Sequence, residues 1–115
     1  MAISEFELKR IEKIVGEAVE KRRPPVHVRN EVDISFRIDN QSVYIYERRQ
    51  DWQDKTQYHQ IDNAKLTWVK SQQLWKIYWM RQDLKWHSYQ PSPTVKNIET
   101  ALDVVMNDQH ACFWG

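Results

Sequence analysis

Six side chains within one short stretch have the chemistry to hold an anion: Lys65, Lys76, Tyr78, Lys85, His87 and Tyr89. Lysines neutralise phosphates, while tyrosine and histidine rings offer flat faces on which unpaired bases stack. Arg37, Tyr44, Tyr46 and Arg48 repeat the same mixture earlier in the chain. His87 has a second use, as a general acid or base with Lys85, Tyr89 and Asp83 close by and an arginine steadying a phosphate. That use points to an RNase-like hydrolase. However, no nucleophile–base–orienter spacing, glycine-rich phosphate loop or paired carboxylates accompany it, and no catalytic residue is assigned. Metal chemistry has still less support. His27, His59, His87, His110 and Cys112 are the candidate ligands, and only His110 and Cys112 are close in sequence. Tetrahedral zinc needs three or four ligands, so no metal site and no cofactor is expected.

The elements that must position these residues lie between Ala64 and Gln90, which holds four of the six tryptophans. This stretch reads as three antiparallel strands joined by two tight turns. A turn near Gln72 sets Val69 opposite Leu74, and hence Trp68 opposite Trp75, Leu66 opposite Ile77 and Ala64 opposite Trp79. A two-residue turn at Gln82-Asp83 then sets Arg81 opposite Leu84 and Trp79 opposite Trp86. Only even turns gather all four tryptophans on one face, since a one-residue slip reverses every side chain of a strand. The buried face is therefore Ala64, Leu66, Trp68, Trp75, Ile77, Trp79, Leu84 and Trp86. The other face carries Lys65, Thr67, Lys76, Tyr78, Met80, Lys85, His87 and Tyr89, in rows Lys65–Tyr78–His87 and Thr67–Lys76–Tyr89. A tryptophan-lined ligand pocket is the alternative for the stripe. Core packing is preferred, because large aromatics supply most of the burial in small cores.

The flanking chain supplies the rest of the architecture. Ser4 and Glu7 form a capping box. Phe6, Leu8, Ile11, Ile14, Val15, Ala18 and Val19 recur at helical spacing, which predicts an amphipathic helix from Ser4 to about Arg22. The cations Lys21, Arg22 and Arg23 suit its negative end, and Pro24-Pro25 stop it. Val26 to Asn30 is an extended connector. Val32, Ile34, Phe36 and Ile38 alternate with polar residues, so a strand is expected there. Asn40-Gln41 turns into a second strand, Ser42 to Arg49, with Ile38 opposite Val43, Phe36 opposite Ile45, and an Asp33–Arg48 ion pair across the hairpin. Gln50 to Gln60 reads as a loop in which Trp52 has no evident role, and Ile61 resumes extended structure. Thr94 is expected to cap a second helix running to Asn107. Phe113 and Trp114 are too apolar to stay free and should dock on the core. The fold class is α+β: two layers, a five-stranded antiparallel sheet with an N-terminal and a C-terminal helix on one face, in one domain spanning residues 1–115.

Three segments resemble a known family: AISEFELKRIEKIVGE with EKRRPP, WVKSQQLWKIYWMRQDLKWHSYQPSPTVK, and the terminal CFWG. Together they resemble DUF3024, a small bacterial family of unknown function, across essentially the whole chain. The resemblance implies a bacterial cytoplasmic protein. It brings no activity, cofactor or site residue with it.

Charge and cysteine usage narrow the partners. Residues 64–90 carry five basic residues and one acidic residue, while the rest of the chain carries 12 basic and 15 acidic. A locally positive sheet on an acidic body favours an anionic partner. A single cysteine excludes an intrachain disulfide and suits a reducing compartment. No signal peptide or membrane-spanning run is evident, so a soluble cytoplasmic protein that does not engage a membrane is expected. The leading functional reading is a non-catalytic binding or accessory module that contacts a protein or a second copy of itself. The alternative is single-stranded nucleic-acid binding through Lys65, Lys76, Tyr78, Lys85, His87 and Tyr89.

Overall fold

The structure is a computed structural model that describes residues 3 to 114. Helix α1, Glu5–Arg22, begins where the capping motif requires, with the Ser4 hydroxyl accepting from the Glu7 amide at 3.2 Å. The Glu7 carboxylate lies beside Arg10, at 3.6 Å. Ile11, Val15 and Val19 form its buried stripe. Phe6 does not join them and is 82% exposed. Five residues before Ile11, it points about 140° away around the helix. Arg23 caps the C-terminus and Pro24-Pro25 follow. The expected extended connector is instead a 3-10 turn, Val26–Val28, started by the fixed φ of Pro25 and closed by Val28 N–H donating to the Pro25 carbonyl.

Strands β1, Val32–Asp39, and β2, Ser42–Gln50, pair in the expected register, with Phe36 opposite Ile45 and Ile38 opposite Val43. Asn40 makes the turn with φ 55°, a conformation asparagine tolerates well. The Asp33–Arg48 ion pair does not form. Asp33 lies on the edge strand, where the guanidinium of Arg23 reaches it with two hydrogen bonds of 2.9 and 2.8 Å. Arg48 stacks over Tyr58 instead, 4.4 Å from its centroid.

Strand β3, Tyr58–Val69, starts three residues earlier than its composition suggests, leaving a loop of Asp51 to Gln57. Its pairing with β2 breaks between Ile45–Ala64 and Tyr46–Asp62, so Asn63 is the extra residue of a bulge. Asn63 is buried. Its amide donates at 2.8 Å both to Glu47 Oε1 and to the Phe113 carbonyl, tying the C-terminal segment to the sheet. Arg49 holds the other Glu47 oxygen at 2.7 Å, so the buried carboxylate is paired and hydrogen-bonded as burial demands.

Strand β4, Leu74–Met80, pairs with β3 as read from the sequence, Trp68 opposite Trp75 and Ala64 opposite Trp79. The next turn departs from expectation. Met80 lies opposite Trp86 and Trp79 opposite His87 at the start of β5, Trp86–Ser88. The connection is a three-residue loop, Gln82 to Leu84: the Leu84 amide donates to the Arg81 carbonyl, and Arg81 N–H to the Lys85 carbonyl. Leu84 has φ 60°. A turn followed by a left-handed residue is the common three-residue hairpin, and its odd length reverses the faces of β5. Trp86 therefore leaves the core face and Leu84 is 80% exposed, while His87 and Tyr89 move to the helix side.

A short strand β6, Thr94–Val95, also pairs with β4, through Trp75–Val95 and Lys76–Thr94. Thr94 is thus a strand residue. Asn97 caps α2, Ile98–Asn107, its side-chain oxygen accepting from the Thr100 amide at 2.8 Å. The sheet order is β1-β2-β3-β4-β5, with β6 beside β4. Both helices cover one face. Ile11, Val15 and Val19 meet Ile98, Ala101, Leu102 and Val105 over Val43, Ile45, Leu66 and Ile77, all buried. Each of these side chains except Ala101 stabilises the fold by about 1.5–3 kcal/mol. The C-terminal segment docks as its composition requires. Asp108 accepts from the amides of Cys112, Phe113 and Trp114. Phe113 is buried, and the Trp114 indole donates to the Val105 carbonyl at 2.9 Å.

Candidate nucleic-acid interface

With both helices on one face, the other face of the sheet has no layer over it. Cross-strand register places Arg37, Tyr44, Lys65, Tyr78 and Ser88 in a single row from β1 to β5. Cations and rings alternate along it. The Arg37 guanidinium lies 4.3 Å from the Tyr44 centroid, and Lys65 Nζ lies 5.7 Å from Tyr44 and 5.4 Å from Tyr78. Such contacts contribute about 0.5–1 kcal/mol each at partly exposed sites. Arg37 is further fixed by Asp62 at 3.1 Å, which raises the guanidinium pKa above its usual value. Neither Lys65 nor Lys76 is in an ion pair with a described residue.

Trp86 belongs to this surface. Its ring lies 6.1 Å from that of Tyr44, although β3 and β4 separate their strands. That contact gathers Tyr44, Trp86 and the row into one patch. Lys76, opposite Thr67 on the adjoining row, faces the same way, and the Ser42 and Thr67 hydroxyls are linked at 2.8 Å beside it.

Of the six residues singled out from sequence, Lys65, Lys76 and Tyr78 come together here, joined by Arg37 and Tyr44. The other three do not. Lys85 is exposed at the end of the β4–β5 loop. His87 lies on the helix side, where its Nε2 is 2.8 Å from Asp83. That hydrogen bond holds the Asp83 carboxyl below the usual carboxylate range. Tyr89 is 2% exposed, packed 4.8 Å from Phe113, and burial pushes its hydroxyl pKa up. The rows Lys65–Tyr78–His87 and Thr67–Lys76–Tyr89 are therefore replaced by Lys65–Tyr78–Ser88 and Thr67–Lys76–Thr94. Trp86 is the residue that sequence reasoning placed elsewhere. A glycine or asparagine at the left-handed position would have signalled the odd loop, but that position is Leu84.

The same geometry bears on catalysis. His87 and Asp83 form a dyad, yet the cations of the open face lie on the opposite side of the sheet. Cys112 is no activated nucleophile, because burial and neighbouring Asp108 push its thiol pKa up, away from the thiolate form. Among the described residues, no three His, Cys, Asp or Glu side chains converge as a metal site would require.

The family model described as "Domain of unknown function (DUF3024)" matches residues 3–115. The chain belongs to the DUF3024 family. No curated protein and no solved structure matches this DUF3024 domain. Among its described residues, no helix is long and apolar enough to cross a membrane.

Proposed function

We propose that this DUF3024 domain is a non-catalytic binding domain of the cytoplasm, and that its open sheet face takes single-stranded nucleic acid. The observation that carries this reading is the alternating row Arg37, Tyr44, Lys65, Tyr78 on a face that neither helix covers. Aromatic platforms accept bases of any sequence, and cations between them follow the phosphates. The single cysteine suits a reducing compartment.

The test is anisotropy of fluorescently labelled oligo(U) and oligo(dT) at rising salt. Lys65, Lys76, Arg48 and the partly committed Arg37 supply three to four phosphate contacts, so the logarithmic salt slope should be about −2 to −3. Lys76→Ala with Tyr78→Ala should weaken binding by at least about tenfold. The paired change Lys9→Ala with Lys13→Ala, on exposed positions of α1, should leave it unaltered. Absence of binding at low salt would end this reading. Salt-independent self-association in the same samples would favour a second copy of the chain as the partner.

A further inference from the structure

On the helix side of the sheet a pocket of about 510 Å³ opens between the start of α1, the β3–β4 turn and the N-terminal end of α2. That volume suits a small organic molecule. Its floor is the tilted pair Trp68 and Trp75, with ring centroids 5.5 Å apart. Trp75 is buried and Trp68 half-buried. Ile11 and Ile98 continue the apolar wall. The rim is different in kind. It carries Arg10, Lys70 and Lys96; Arg10 is held between two carboxylates, Glu99 at 3.0 Å and Glu7 at 3.6 Å, while Lys96 is in no ion pair with a described residue. Lys96 is exposed and precedes the cap of α2, so the positive end of that helix adds to the same field.

We propose that this pocket binds a small aromatic carboxylate. The ring lies on Trp68 and Trp75, where offset or edge-to-face contact with indole is favoured. The carboxylate faces Lys96 and the N-terminal end of α2 at the rim. The floor sets the requirement for a flat apolar body, and the rim sets the sign of its charge. The site is on the opposite face from the nucleic-acid row and stands independently of it.

The experiment is NMR of the indole N–H resonances in 15N-labelled protein, titrated with 2-naphthoate and with its neutral twin 2-naphthamide. The Trp68 resonance, identified by its loss in Trp68→Phe, should shift saturably with naphthoate, while those of Trp52 and Trp86 stay in place. Naphthamide should bind about tenfold more weakly. Lys96→Glu, at an exposed position, should weaken naphthoate by a similar factor and leave naphthamide nearly unchanged. A Trp68 resonance unmoved at about 2 mM naphthoate would overturn the proposal. So would equal binding of the two probes, or naphthoate binding insensitive to Lys96→Glu.

Discussion

Substituting lysine at two positions three residues apart, Trp86 in β5 and Tyr89 just beyond it, discriminates between the two faces of the sheet. Tyr89 is 2% exposed, against Phe113 and near His110. Tyr89→Lys removes a fully buried ring, which costs about 3–4 kcal/mol. It also buries an ammonium beside Asp108, whose carboxylate already accepts from three backbone amides, and this costs about 3–5 kcal/mol more before any relaxation. The sum approaches the whole stability of a domain of this size, so Tyr89→Lys should fail to fold at 25 °C. Trp86 sits on the uncovered face with Tyr44 as its ring partner, 6.1 Å away. Trp86→Lys loses that contact, about 0.5–1.5 kcal/mol, and some buried area. The lysine stem recovers part of the cover and its head reaches water. The net cost should be about 1–2 kcal/mol. Urea unfolding followed by far-UV circular dichroism measures both, without relying on a tryptophan signal that one variant alters. A folded Tyr89→Lys variant within about 1 kcal/mol of wild type, or an unfolded Trp86→Lys variant, would refute the three-residue loop and return the tryptophan to the core.

Two further outcomes follow from backbone strain and from one ion pair. Leu84→Gly should stabilise the protein by about 0.5–1 kcal/mol, because glycine tolerates φ 60° and the side chain it replaces is 80% exposed. Destabilisation in urea unfolding would contradict that. Hydrogen bonding from Arg23 holds the Asp33 carboxyl below its usual value. A depressed folded pKa means that this contribution is complete above the ordinary carboxylate value of about 3.9 and is lost as pH falls through the lower folded pKa. Asp33→Asn should thus be less stable at neutral pH and should lose less stability than wild type below about pH 4. Melting temperatures between about pH 7 and pH 3 check this, and parallel acid profiles for the two proteins would rule it out.

Helical and strand periodicity made most of the fold legible. Ile11, Val15 and Val19 marked the face of α1, and the alternation from Val32 to Ile38 fixed both β1 and its register with β2. The β3–β4 register followed from matching Trp68 with Trp75. What stayed hidden depended on tertiary partners or on turns without a glycine signal. Asp33 chose Arg23 over Arg48, because a helix end 10 residues upstream offered a two-pronged donor. Asn63 left no mark in the alternation, although its bulge sets the β2–β3 pairing and anchors Phe113. Thr94 satisfied the pattern of a cap, but Asn97 took that role and Thr94 joined the sheet.

The exchange of Trp86 and Tyr89 shows why the candidate site was only half legible. In Trp86-His87-Ser88-Tyr89, either parity puts one large ring and one polar residue on each face. Hydrophobic alternation therefore cannot choose between them, and loop length decides. Strand β4 has no such ambiguity. Trp75 and Ile77 are buried on the helix side, while Lys76 and Tyr78 pair with Thr67 and Lys65 on the open side. One strand thus contributes to two candidate sites at once, Trp75 to the pocket floor and Tyr78 to the cation–aromatic row. Because successive side chains point to opposite faces, the two sites can be perturbed separately. Changes at Lys76 and Tyr78 act on the open face, and changes at Lys96 act on the pocket rim. A loss of oligonucleotide binding with naphthoate binding intact, or the reverse, therefore assigns each failure to its own face of the sheet.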